Sequence, residues 1–239
     1  MSPFEQLERH WADVEREFMA SRPMLRLQRG QVGLDHYAAY LRETYFYTRE
    51  DPQKQATATA RFRGPDRDMV KYFLRHALSE VGHDQMALAD LTAIGFETAS
   101  IPDENPLPAT LAMTGFAYYS IQYRQPISYL GWLYFLEFLP TSKGGGIAEA
   151  LAKLGVPKTA MTFLDEHRSV DVHHNKLMRI YADHMIRSEY DLDEVVYALT
   201  VTGTLFANML EGAFEAADRG DLPVRLGSQP AAVVSRSAP

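Results

Sequence analysis

Apolar and polar positions along the chain follow a helical period almost throughout, and no convincing two-residue alternation of the strand type appears. Ser2-Pro3-Phe4-Glu5 has the form of a capping box with proline at the first helical position, and opens a helix running to about Ala20. Asp35 is placed to cap a helix carrying Tyr37, Tyr40, Leu41, Thr44 and Tyr45, and another helix follows Asp51-Pro52. A long helix is expected from Pro65-Asp66 to just before Gly95. After the proline-rich stretch IPDENPLP, Pro108 starts a helix that bends or breaks at Pro126 and resumes to about Leu139. The glycine run at 144–146 then precedes a short amphipathic helix, IAEALAKLG, closed by Gly155, and Pro157 suits the first turn of the next helix. A last helix spans roughly Leu192 to Ala217. This pattern predicts one all-α domain over residues 1–220, and residues 221–239, rich in Ser, Pro and Ala, read as a flexible tail.

Composition narrows the function. The net charge of −7 argues against a nucleic-acid surface. No apolar run approaches the roughly eighteen residues that a membrane span needs. The charged start MSPFEQLERHW lacks the apolar core of a signal peptide, so the expected compartment is the cytoplasm. With no cysteine there can be no disulfide, thiolate nucleophile or cysteine-ligated metal.

The chemistry-bearing residues stand on those helices. In HRSVDVHHNKLM, a helical turn of about 100° per residue puts His167, Asp171 and His174 at roughly 0°, 40° and −20°, with His173 on the far side. HxxxDxxH is therefore a candidate ligand face, or else a polar outer stripe. Glu80 and His83 form ExxH, which sets a carboxylate beside an imidazole on one helix; His76, a turn earlier, is a spare candidate. Glu137 is the lone charge in PISYLGWLYFLEFLP, a helix apolar nearly all round, and a buried carboxylate needs a metal or an ion-pair partner. Glu43, in YLRETYFYTRE, taken alone reads as the partner of a neighbouring arginine. Together these residues make four carboxylates and three imidazoles, enough negative charge to neutralise two ferrous ions. Such hard oxygen and nitrogen donors suit iron or manganese.

The HxxxDxxH helix and the upstream core-helix glutamate resemble the heme-oxygenase-like diiron oxidases and oxygenases. So do the stretches SRPMLRLQRGQVGLDHYAAYLRETYFYT and KGGGIAEALAKLGVP, and the resemblance covers about residues 20 to 215. It implies a bundle of about seven helices, with Glu43, Glu80, His83, Glu137, His167, Asp171 and His174 holding two Fe(II) ions and O2 as co-substrate. It further implies an oxygenase or oxidase acting on a small substrate by N-oxygenation, desaturation or oxidative C–C cleavage, with an external reductant. Heme-binding relatives use a histidine near the first core helix; His36 lies in that neighbourhood, but heme would leave these seven residues unexplained.

Arg124 at the proline break, with Tyr119, Tyr123 and Trp132 nearby, suggests a clamp for a carboxylate-bearing substrate such as an amino acid with an apolar or aromatic side chain. The plainer reading of those aromatics is core packing. Two other readings stay open: a metal- or heme-binding bundle without catalysis, and a cofactor-free oxidase on the same fold. A homodimer is the default assembly.

Overall fold

The computed structural model describes residues 1–227; of residues 168–174 it describes the backbone alone. Among the described residues there are ten α-helices and no β-sheet. They are α1 (Pro3–Met19), α2 (Arg22–Gln28), α3 (Leu34–Thr48), α4 (Asp51–Arg61), α5 (Val70–Ser79), α6 (His83–Ala93), α7 (Pro108–Tyr123), α8 (Tyr129–Lys153), α9 (Thr162–Met185) and α10 (Glu189–Arg219). None of these helices is long and apolar enough to cross a membrane.

The first cap forms as the sequence predicts. Glu5 N donates to Ser2 Oγ at 3.2 Å while Ser2 N donates to Glu5 Oε2 at 2.8 Å. In α3, however, Gly33 takes the capping position and Asp35 falls inside the first turn. The expected single helix from Pro65 to Gly95 is two helices, divided at Glu80–Gly82, where Gly82 adopts φ 101°. Only glycine enters that left-handed region without strain, so the break is local and has a residue behind it.

At the glycine run the correction goes the other way. Helix α8 continues unbroken through Pro140 and Gly144–Gly146 to Lys153, with no separate IAEALAKLG helix. Leu130, Leu133, Leu139 and Leu151 are buried along its length, and this packing outweighs the low helix propensity of proline and glycine.

At the centre α8 lies against α9 and α10; α1 crosses both of the latter, α3 rests on α6 and α10, and α4 on α5. Helix α9 is fixed at its start by Asp90 of α6, which accepts hydrogen bonds from Thr162 N at 3.0 Å, Phe163 N at 2.9 Å and Thr162 Oγ1 at 2.6 Å. A carboxylate is thus supplied in tertiary contact to the orphan amides of a helix N-terminus. Residues 224–226, expected in a free tail, are tied to the body: Glu97 N donates to Val224 O at 2.6 Å and Leu226 N to Gly95 O at 2.8 Å.

Candidate metal centre

Glu80 and His76 stand at the end of α5, His83 opens α6, Glu137 lies in the middle of α8, and His167 is in the second turn of α9. The break at Gly82 turns α6 away from α5, yet His83 Nδ1 still lies 2.8 Å from Glu80 Oε2. His76 Nε2 is 2.9 Å from Glu137 Oε1 and 3.4 Å from Glu80 Oε1. The His83 and His167 rings meet edge to face, with centroids 4.7 Å apart. His167 Nδ1 is 2.7 Å from Phe163 O, so that nitrogen carries the proton and Nε2 is the lone-pair side.

Two triads result. Donor atoms of Glu80, His83 and His167 lie within 4.8 Å of one another, and so do those of His76, Glu80 and Glu137. Glu80 belongs to both, the position a carboxylate bridging two cations would take.

The electrostatics are those of a buried, mutually satisfied cluster. Burial lowers the His76 imidazole, but hydrogen bonds to Glu137 and Glu80 outweigh it and push it up to about 10. Burial likewise opposes the proton on His83, and the bond to Glu80 overrides it. Burial raises the Glu80 carboxyl, while His76 and His83 draw it down further than burial lifts it. His167 moves down, through burial and the neighbouring His83. Each imidazole–carboxylate bond here places a proton where a cation could stand, and metal binding would displace it. The donor set of carboxylate oxygens and imidazole nitrogens fits iron.

Several of the sequence-based expectations meet here. Glu80, His83, Glu137 and His167 are brought together. The side chains of Asp171 and His174 lie outside the described residues, although the backbone of α9 passes through both as helix. Glu43 is a correction. It is buried, but it accepts from Leu107 N at 3.0 Å, from Thr110 Oγ1 and from the adjacent Arg42. Its partners are therefore α7, the loop before it and an arginine, as its reading in isolation suggested.

His76, treated above as a spare, stands inside the cluster. A signal was present: His76, Glu80 and His83 repeat the HxxxExxH spacing that His167, Asp171 and His174 show as HxxxDxxH. The heme alternative for His36 is not favoured, since both ring nitrogens are engaged. Nδ1 accepts from Gly33 N at 2.9 Å, and Nε2 lies 2.9 Å from Asp218 Oδ1.

Beside the cluster is a cavity of about 130 Å³ whose wall includes Glu80, Glu137 and His167. The remainder is overwhelmingly apolar, with Phe18, Met24, Trp132, Leu133, Leu139 and Phe206 among the lining residues. Gly33 and Thr48 of the α3 segment both line it, so it runs about 20 Å along that helix at 1.5 Å per residue.

Asp51 also faces the cavity and pairs at 2.7 Å with the fully buried Lys54, whose Nζ stands 3.9 Å over the Trp132 ring. Burial raises the Asp51 carboxyl to about 6 and lowers Lys54, each working against the pair's own attraction. Nothing in the sequence singled out this pair.

The expected substrate clamp is not at this cavity. Arg124 makes a two-pronged ion pair with Glu194, at 2.8 and 3.1 Å, and lies 4.4 Å over the Tyr197 ring. Tyr119 and Tyr123 are 53% and 80% exposed and stack on each other. Of the four proposed substrate contacts, Trp132 alone lines the cavity. The proline break at Pro126 formed as expected, but it turns Arg124 outward.

Comparison with known proteins gives a consistent picture. The family model described as "Iron-containing redox enzyme" matches residues 38–202. No curated protein matches the chain in sequence. Among solved structures, a domain of unknown function from Shewanella denitrificans with a heme oxygenase-like fold superposes with a TM-score of 0.83. It is 24% identical, over 91% of this chain and 94% of that one. A TenA homologue from Pseudomonas syringae pv. tomato gives 0.71 at 16% identity, over 88% and 92% of the two chains. A TenA homologue from Pyrococcus furiosus gives 0.65 at 10% identity, over 89% and 100%. The fold is thus the heme-oxygenase-like all-α bundle expected from the sequence.

Proposed function

Because the chain belongs to the family of iron-containing redox enzymes, we propose that it is a nonheme enzyme that uses two Fe(II) ions and O2. Its substrate is a small carboxylate-bearing compound with an apolar body. The observation that carries this reading is Glu80, shared by two triads of iron-type donors in the wall of an apolar cavity. Glu80, His83 and His167 would hold one ion, and His76, Glu80 and Glu137 the other. Asp171 and His174 follow His167 by about one and two turns of α9, and by that register they would be the further ligands that the resemblance implies. The two ions, when bound, supply the activation of O2 and the oxidation of the substrate.

The chain's own residues do the rest. Trp132, Leu133, Leu139 and Phe206 exclude water and take up the apolar body of the substrate alongside the cluster. His167 is oriented by its Nδ1 bond to Phe163 O. The Tyr129 phenol is held protonated well above its ordinary range, first by burial and then by the charges of Asp51, Glu80 and Glu137. It therefore keeps its proton and can offer a hydrogen bond, not an acidic proton.

The cavity fits the apolar body of the substrate but does not choose between an amino acid and a simple carboxylic acid, and Arg124, expected to clamp the carboxylate common to both, pairs with Glu194 instead. Anaerobic Fe(II) titration should give about two irons per chain. Exposing the loaded enzyme to O2 with a panel of apolar amino acids and medium-chain carboxylic acids, read by mass spectrometry, should then give oxidation of one class. Uptake of no iron, or uptake with no oxidation of any apolar acid, would count against the proposal.

A further inference from the structure

Helix α5 carries the acidic–imidazole cluster on one face and an unusual surface on the other. His76, Phe73 and Glu80 point into the protein, while Lys71, Leu74, Arg75 and Leu78 share the opposite, exposed face. Leu74 is 48% exposed and Leu78 73%, and Val81 just beyond is 65% exposed. Such large aliphatic side chains grouped on one helix mark an interaction surface more than solvent-facing filler. A shallow groove runs along them, bordered by Arg67 and Asp68. Arg67, Lys71 and Arg75 recur every four residues, and none is paired with a carboxylate among the described residues. In a chain of net charge −7 this is a local reversal of sign.

We propose that this face of α5 docks an acidic one-electron carrier protein that delivers reducing equivalents to the metal centre. The proposal rests on the reading of the cluster as an iron centre. An apolar patch whose rim carries three unpaired cations against one carboxylate, Asp68, complements an acidic partner, and attraction of this kind mainly raises the encounter rate. From the patch to His76 and Glu80 the electron crosses one helix, about 10 Å wide. Each encounter would take one electron from the carrier, so two encounters would be needed to reduce a two-iron centre held by these residues.

The test uses the full chain without metal first, so that docking is read independently of iron. A plant-type [2Fe–2S] ferredoxin is the acidic probe and a basic cytochrome c the charge-inverted control, both titrated calorimetrically at low ionic strength. Ferredoxin should bind and cytochrome c should not. Lys71→Glu/Arg75→Glu should weaken ferredoxin roughly tenfold or more, with the melting temperature unchanged. Raising ionic strength from about 0.01 to about 0.1 M, which shortens screening from about 30 to about 10 Å, should weaken the wild-type complex likewise.

With iron bound, the same variant should be reduced slowly by ferredoxin and at the wild-type rate by dithionite. Unchanged ferredoxin affinity in the variant would overturn the proposal, as would equal binding of cytochrome c. So would self-association at low ionic strength that Leu78→Glu abolishes. Failure to take up iron would instead count against the enzymatic reading and leave the docking measurement intact.

Discussion

Glu80 bears more of the site than any other single side chain, because both triads share it. Glu80→Gln should therefore abolish stoichiometric Fe(II) uptake in an anaerobic titration, while Glu43→Gln should keep it. The Glu43 carboxylate serves Leu107 N, Thr110 and Arg42, and its loss should cost about 1.5–3 kcal/mol of stability. A Glu43→Gln protein that folds normally but loses iron would return that residue to the metal centre. Protonation of His76 supplies a second expectation. Its folded value of about 10 lies above the ordinary 6.5, so its contribution to stability is complete below pH 6.5 and lost as pH rises through about 10. Iron-free protein should melt at progressively lower temperature across that window. Iron-loaded protein should not, since the cation replaces the proton, and loading should release protons measurable in weak buffer. Equal pH slopes in the two forms would show that His76 keeps its proton. At this scale the sequence was half legible. ExxH and the lone glutamate of an apolar helix do meet in one buried cluster, because burial of a charge demands a partner whatever the fold. The aromatic neighbours of Glu43 signalled burial equally well, but not which element it faces, and that is fixed only when α3 meets α7.

Helix ends were legible where a residue enforces them locally and obscure where packing decides. The Ser2–Glu5 box is self-contained, and it appears in the structure as its spacing implies. Gly82 breaks the expected long helix because its left-handed backbone is a local event, yet one glycine among several gives no warning of which will turn. The glycines of α8 show the opposite case. Gly131 is required by contact: a Cβ there would meet Val195 O at 2.3 Å and Leu199 N at 2.5 Å, both backbone atoms of α10. Gly131→Ala must push the two central helices apart, at a cost of about 3 kcal/mol, or about 6–12 °C in melting temperature for a chain of this size. Gly145, in the same helix, has nothing within 4 Å of its would-be Cβ. Gly145→Ala should thus stabilise by about 0.5–1 kcal/mol. Thermal melts of the two variants separate these roles, and a neutral Gly131→Ala would contradict the close crossing of α8 and α10. The glycine run expected to set off a separate helix is tolerated because the helix around it packs against both α9 and α10.

On the scale of the whole molecule, the cluster forms because the consecutive helices α5 and α6 meet α8 and α9, which follow much later in the chain. Helices α5 and α6 deliver His76, Glu80 and His83; α8 delivers Glu137 from the centre of the bundle; and α9 is pinned by Asp90 so that His167 closes the set. Composition and periodicity foretold an all-α body, but not that α4 would bring Asp51 to the cavity or that Arg124 would turn outward. Those outcomes depend on the order in which helices stack, which no local pattern encodes. The convergence has a thermodynamic consequence. Cations bound among these side chains would tie α5, α6, α8 and α9 together and stabilise them by about 2.7 kcal/mol at a hundredfold excess over the dissociation constant. Hydrogen exchange followed by mass spectrometry should accordingly slow in those four helices on anaerobic Fe(II) loading. Helix α2 and the start of α3, at the His36 end of the cavity, should change little. Protection concentrated around His36 instead would place the ligand at the opposite end, as a heme-type arrangement would. Protection confined to α9 would mean that the metal is held by that helix alone and that Glu80 bridges nothing.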